Sequence, residues 1–248
     1  MLLQHQTWQE VETYLAQSKG IILPIGSTEQ HGPNGLIGTD AICAEVIAKA
    51  VGEAANAMVG PTIGVGIAVH HMGFAGSMTV KPSTLIAIIH DYVLSLARHG
   101  FRKFLFINGH GGNIATANAA FSEIYAATSL AGGGNAPTLR CKLANWWEAP
   151  GVRSLIRELF AGRDGAHATP SEISVTQFAH PEAIKSVGPI PPGPPSQAFA
   201  DSAHYRRLFP DGHIASDPNL ASPEHGAKLV AAAVQGLAEA YGAFLAAD

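Results

Sequence analysis

The pattern of apolar and polar positions divides the chain into short, fully apolar runs separated by longer amphipathic ones. Gly20-Ile21-Ile22-Leu23-Pro24-Ile25 is continuous enough to be a strand buried on both faces. Lys103–Ile107 (KFLFI) is wholly apolar after its lysine, and Leu139–Trp147 is a further strand candidate. A weaker one spans Ala57–Val65 and is broken by Pro61. Helices are expected between these runs. Thr7–Ser18 puts Trp8, Val11, Tyr14 and Leu15 on one face, and Asp40 to Ala54 repeats Ile42, Val46, Ile47, Ala50 and Val51 at helical spacing. Thr39 reads as the N-cap of the second. Pro82–His99 starts on a proline and stops at Gly100, and an Ala-rich helix runs from Asn113 to Leu130. Ala131–Asn135 reads as a Gly-rich turn. Val152–Phe160 and Ser171–Phe178 are short helices, and Ser222-Pro223 opens a last one to Leu245. Gly66–Val80 fits neither period, and Pro-rich Val187–Ser196 reads as a surface excursion of one domain, residues 1–248. Strands alternating with helices predict an α/β fold: a mainly parallel sheet with helices on both faces, an α/β/α sandwich.

In such a sheet ligands collect beyond the carboxyl ends of the strands. Leu23–Asp40, LPIGSTEQHGPNGLIGTD, leaves its strand at Gly26 and carries Glu29, His31 and Asp40 through a loop with four small or rigid turn residues. Glu29 and His31, two apart in extended backbone, point the same way. The KFLFI strand ends in Asn108-Gly109-His110-Gly111-Gly112-Asn113, where the glycines leave the His110 ring uncrowded and the asparagines can pin the loop. Lying at a helix N-terminus, His110 is expected to stay a neutral imidazole, the form a metal needs. A third segment, Asp164-Gly-Ala-His167-Ala-Thr-Pro-Ser-Glu172, adds an imidazole and a carboxylate. Glu29, His31, Asp40, His110 and Glu172 form an O/N donor set without thiolate. Such a set suits Zn2+ or Mn2+, with Fe2+ also compatible, one or two ions per chain. His167 remains for proton transfer, with Glu172 beside it. His70 and His71 sit in the Gly-rich segment and can face a pocket; the other histidines read as surface or capping residues. Of Trp146 and Trp147, one is expected in the core and one on a pocket wall.

Composition narrows the classes. The chain has 248 residues, 47% hydrophobic and only 14% charged, with a net charge of -4. That charge, without runs of one sign, disfavours nucleic acid or an anionic membrane as partner, and the low charged fraction favours a homo-oligomer. No G-x-S-x-G elbow and no phosphate-binding glycine motif with its lysine is present. Cys43 and Cys141 are expected to be free, buried thiols. With neither a leader nor a membrane-spanning apolar stretch apparent, the expected compartment is the cytoplasm.

LPIGSTEQHGPNGLIGTD, NGHGGN, DGAHATPSEIS and the closing DPNLASPEHG, in this order, resemble the creatininase (creatinine amidohydrolase) family over nearly the whole chain. The resemblance implies an α/β/α sandwich, a hexamer, zinc or manganese, and hydrolysis of non-peptide or cyclic C–N bonds of small amides. A deformylase and a precursor-peptide peptidase are the alternatives inside the family, and a metal-stabilised binding protein is the alternative outside catalysis. It also implies Asp40 as a bridge between two ions, with Glu29, His31 and His110 as further ligands. Glu172 matches the acidic residue of the family's third motif and His167 its catalytic or substrate-contacting histidine. His71, Ser77, Gly111, Trp147 and Arg163 are the expected substrate contacts. Two departures stand out: Gly112 where the resemblance has a glutamate ligand, and Arg163 where it has a tryptophan. The second replaces an aromatic wall with a cation, so an anionic substrate is expected to suit the pocket better than creatinine.

Overall fold

The computed structural model describes residues 1–130 and 138–247. The turn expected at Ala131–Asn135 lies outside them. β1 (Gly20–Ile25) is buried at every position, as its unbroken apolar run requires. It pairs in parallel with β3 (Lys103–Asn108), from Gly20 opposite Lys103 to Ile25 opposite Asn108. β3 pairs in parallel with β4 (Arg140–Asn145), and β1 with the short β2 (Met58–Val59), giving the order β2-β1-β3-β4.

Alternate residues of the central strands feed two cores. Ile21, Leu23, Ile25, Phe104 and Phe106 pack with α1 (Trp8–Gln17), α3 (Pro82–His99) and α4 (Ile114–Leu130). Ile22, Leu105 and Ile107 pack with α2 (Thr39–Ala54), α5 (Val152–Phe160), α6 (Pro170–Ala179) and the closing helix α8 (Pro223–Ala246). The period-two side-chain alternation thus produces the three layers read from the sequence.

Four details differ from expectation. β2 is two residues long, not nine; beyond it the backbone follows β1 only through single bonds such as Gly60 N–H to Ile22 O and Ile63 N–H to Pro24 O. Pro61, which has no N–H, interrupts the ladder. Thr39 is not the cap of α2. Gly38 holds that position, and the Thr39 hydroxyl donates to Leu36 O at 2.7 Å. β4 stops at Asn145, and Trp146–Glu148 form a 3-10 turn. A short helix, α7 (Ser202–Leu208), was not legible; the Asp201 carboxylate caps it by accepting from His204 N at 2.7 Å. It carries Tyr205 into a small cluster with Phe209 and Ile214.

The Pro-rich stretch forms no regular element but is fastened to the same body. Asn219 bonds both the N–H and the carbonyl of Ile190, and Gly193 N–H donates to Ser216 O. His213, expected at the surface, is buried beneath this stretch, with its Nε2 at 2.9 Å from Pro191 O. α8 is long and apolar enough to cross a membrane by length and composition, contrary to the sequence reading. Here it lays Leu229, Ala233, Leu237 and Tyr241 into the core of its face of the sheet.

Candidate metal centre and active site

The chain leaves β1 for β2 on one side and reaches β3 and β4 on the other. The strand order therefore reverses between β1 and β3, and a crevice opens beyond their carboxyl ends. The first turn of α2 is pushed into this crevice. A Cβ on Gly26 would lie 2.5 Å from the Ala41 backbone, and one on Gly109 would lie 2.1 Å from Asp40 O. Only glycine at the ends of both strands admits this approach. Asp40 is thereby set between the imidazoles of the two strand-end loops.

Each of these imidazoles has one nitrogen assigned by a backbone carbonyl. His31 Nδ1 lies 3.0 Å from Glu29 O, so it carries the proton. Its Nε2 is left facing Asp40 Oδ1 at 3.0 Å and Glu172 Oε2 at 3.9 Å. His110 Nε2 donates to Ile67 O at 2.9 Å, which leaves Nδ1 facing Asp40 Oδ2 at 3.1 Å. Anchoring one ring nitrogen on a carbonyl while the other faces a carboxylate is the arrangement of metal-binding histidines. Asn108 fixes the His110 loop, its side chain bonding both the N–H and the carbonyl of His110, and Asn113 ties Ile67 N–H to Gly26 O. Glu29 Oε2 accepts from the Ser27 hydroxyl at 2.7 Å, while Oε1 lies 3.1 Å from His71 Nε2.

The donors are close but badly aligned with one another. Glu29 Oε1 and Asp40 Oδ2 are buried and make no hydrogen bond, although imidazole nitrogens stand 3.1 Å from each. Buried carboxylate oxygens without a donor are costly unless a cation meets them. The protonation equilibria say the same. Burial alone would lower both imidazoles, but Asp40 and Glu172 carry His31 up to about 10, and Glu29 and Asp40 carry His110 up to about 9. This corrects the expectation of a neutral His110: with only protons available, both rings are charged. Burial works against the ionised form of Asp40 as well, yet His31 and His110 draw it well below the carboxylate range. Burial raises Glu172 to about 7, against the pull of His31. The donor set fits divalent cations. Glu29, Asp40 and His110 offer converging atoms, as do His31, Asp40 and Glu172, and Asp40 is common to both groups.

The sequence-derived residues now have places. Glu29, His31, Asp40, His110 and Glu172 meet in one cluster. His167 abuts it, its ring 4.6 Å from that of His31, with Nε2 at 2.9 Å from Gln30 O and Nδ1 at 3.9 Å from Glu29 Oε1. Burial first, then the neighbouring His71 and His31, hold it well below the usual imidazole range. A cavity of about 510 Å³ opens onto Asp40, His110, His167 and Glu172, with Gly111 and Trp147 on its walls.

Three expected substrate contacts lie elsewhere. Ser77 is turned inward, its Oγ accepting from Gln30 N at 3.1 Å, so it braces the first loop. His71 is 1% exposed, packed on Glu29, and burial with its His70 neighbour lowers it to about 2. Arg163 points outward and pairs with Asp217 at 3.2 Å, while its neighbours Gly162 and Asp164 line the cavity. One buried residue went unread. Gln30 accepts from Gly32 N through Oε1, donates to Gly212 O through Nε2, and lies 2.9 Å from His71 Nδ1. Its only sequence signal was its place between Glu29 and His31.

The family model for creatininase, creatinine amidohydrolase, matches residues 4–241. The chain belongs to the creatininase family. It is 27% identical over 254 residues to the creatinine amidohydrolase of Pseudomonas putida, covering 94% of this chain and 93% of that protein. It is 28% identical over 224 residues to the 3-dehydro-scyllo-inosose hydrolase of Thermotoga maritima, covering 88% of this chain but spanning only 65% of that protein's length. A solved structure described as the manganese form of creatininase superposes with a TM-score of 0.84 at 25% identity, covering 99% of each chain. The protein is thus a hydrolase of the creatininase family with the family's α/β architecture and a candidate metal site.

Gly112 leaves room for the observed His110 geometry. A Cβ there would lie 2.4 Å from His110 Nε2 and 2.5 Å from Ile67 O. The space a side chain would fill is taken by the His110–Ile67 hydrogen bond. Gly112→Ala is therefore expected to displace the ring, cost about 1–3 kcal/mol in stability and weaken metal binding about 10–100-fold. Thermal melts with and without added metal check this; unchanged metal affinity would refute it.

Proposed function

We propose that the protein is a metal-dependent amidohydrolase that cleaves a non-peptide C–N bond, in a cyclic amide or a related compound. The observation that supports this reading is the pair of ligand groups sharing Asp40 at the floor of a cavity whose wall carries His167. A divalent zinc or manganese ion held there would acidify water and polarise a carbonyl. Glu29, His31, Asp40, His110 and Glu172 hold the charge of that centre in place. His167 is kept neutral, with Nδ1 free, and can take a proton and return it to the leaving nitrogen. Trp147, set edge-on against the buried Trp146 at 6.4 Å, adds an apolar wall to the same cavity.

The test is a screen of metal-loaded protein against lactams, cyclic ureas, formamides and short peptides. Hydrolysis of cyclic amides is the expected result. Turnover confined to formamides or to peptides would move the protein to the deformylase or peptidase reading. Full metal occupancy with no turnover of any class would make it a metal-stabilised binding protein and overturn the proposal.

A further inference from the structure

The cavity is also lined by α5, which contributes no residue to the metal centre. Arg153 and Arg157 stand four residues apart on one face of α5, and both line the cavity together with Ile156 and Trp147. Two like charges at this spacing cost a helix a few tenths of a kcal/mol unless something neutralises them. Arg153 is neutralised by an ion pair with Glu148. Arg157 has no ion pair among the described residues. The carboxylates of the cavity are engaged elsewhere. Asp164 accepts from Ser171 N and Oγ at 3.1 Å each, Glu172 accepts from Thr169 N at 2.6 Å and faces His31, and Asp40 lies between the histidines. Helix-end electrostatics would favour a cation anywhere in the last turn of α5, but it does not explain one on the cavity wall.

We infer, resting on the amidohydrolase reading, that Arg157 recognises a carboxylate on the substrate, so that the substrate class is small amides bearing one acid group. A single unpaired guanidinium matches a monoanion, and its planar fork fits a carboxylate through two N–H donors. The sequence placed a cation on this pocket at Arg163. The structure gives that role to α5, because Arg163 is spent on Asp217.

The experiment uses the metal-loaded, full-length protein and matched probes: 5-oxoproline against 2-pyrrolidinone, and dihydroorotate against dihydrouracil. Binding is read from tryptophan fluorescence, since Trp146 and Trp147 line the cavity, and turnover is read separately. The acidic member of each pair should bind roughly 5–10-fold more tightly at low ionic strength, the lower range for a charged hydrogen bond at an exposed group. Arg157→Gln should abolish that preference with less than about a 2-fold change for the neutral probes, and Arg157→Lys should restore part of it. Arg153→Gln should matter less, because Glu148 already holds that side chain. Arg157 is exposed, so neither variant threatens the fold. Equal binding within each pair, no binding of any probe, or a preference that survives Arg157→Gln would overturn the inference. Binding of the acids without hydrolysis would leave it standing while sinking the amidohydrolase reading. Hydrolysis of the neutral probes alone would do the reverse.

Discussion

Asp40→Ala should strip the protein of bound metal and lower turnover by at least roughly 10³-fold, beyond the 10–100-fold typical of residues that merely support a ligand. The effect is expected to be large because Asp40, like Glu29 and His31, belongs to two of the three donor groups. Its two oxygens face different imidazoles, Oδ1 to His31 at 3.0 Å and Oδ2 to His110 at 3.1 Å. Metal-free protein gives an independent reading of the same residue. His31 and His110 are raised in the folded state to about 10 and about 9, above the ordinary imidazole value of 6.5. Each therefore adds stability that is fully present below about pH 6.5 and is lost as the pH rises through 9 and 10. Asp40, depressed in the folded state, contributes stability present above the ordinary carboxylate range and lost in acid. Metal-free wild type should thus melt at progressively lower temperature between pH 6.5 and 10, and added metal should flatten that slope. Metal binding near pH 7.5 should release about one proton for each imidazole it takes over. Asp40→Ala should weaken the metal-free slope, because a charge that helps hold both protons is gone, the largest at His31 and second to Glu29 at His110. Measurements of metal stoichiometry, proton release and melting temperature together decide the matter. An Asp40→Ala protein that binds metal as the parent does would remove the carboxylate from the centre.

The parts of this molecule that could be read from sequence are those whose physics is local. Ile21–Ile25 and Phe104–Ile107 are so uniformly apolar that only burial on both faces accommodates them, and the helices between carry their faces at fixed spacing. From parallel order alone the loops after β1 and β3 had to meet, and they do, at the point where the strand order reverses. What escaped depends on contacts between distant segments. Pro61 marked the break in Ala57–Val65, but that only Met58–Val59 pair as a strand, with Ile63 returning to β1 as a single bridge, is decided by contacts across the sheet. Arg163 and Arg157 lie six residues apart, and only the fold decides that Asp217 draws one outward while the helix turns the other to the cavity. His71 offered an imidazole in a Gly-rich segment, but its partner is Glu29, reached through tertiary packing. Gln30 carries the same lesson, since its amide spans to Gly212, far along the chain.

The second large effect is expected at His167, where it separates proton transfer from metal binding. The residue is positioned by its backbone as much as by its ring. Its carbonyl accepts from Ile214 N at 3.1 Å and from the Ser216 hydroxyl at 2.8 Å, and neither bond involves the imidazole. His167→Ala therefore keeps the loop in place and loses only the ring, with its bond to Gln30 O and its packing on His31 and His71. The ring is a weak base here, since burial and two neighbouring imidazoles oppose its protonation, so it stays neutral at pH 7 and accepts a proton only when negative charge builds beside it. On this account His167→Ala retains metal and fold and loses about 10²–10⁴-fold in turnover, the usual range for a removed general acid–base. His31→Ala should instead lose metal, because its Nε2 has no other role than to face Asp40 and Glu172. The rival assignment is also geometric. Glu29, His31 and His167 present donor atoms close enough to share an ion, and Nδ1 of His167 is the free one. Metal stoichiometry decides between the two. If His167→Ala sheds an ion, the residue is a ligand and the proton must travel by way of Glu172, whose carboxyl, raised to about 7 by burial, titrates where such a relay would work. If metal is retained and the rate is unchanged, His167 carries no proton and the same test passes to Glu172→Gln.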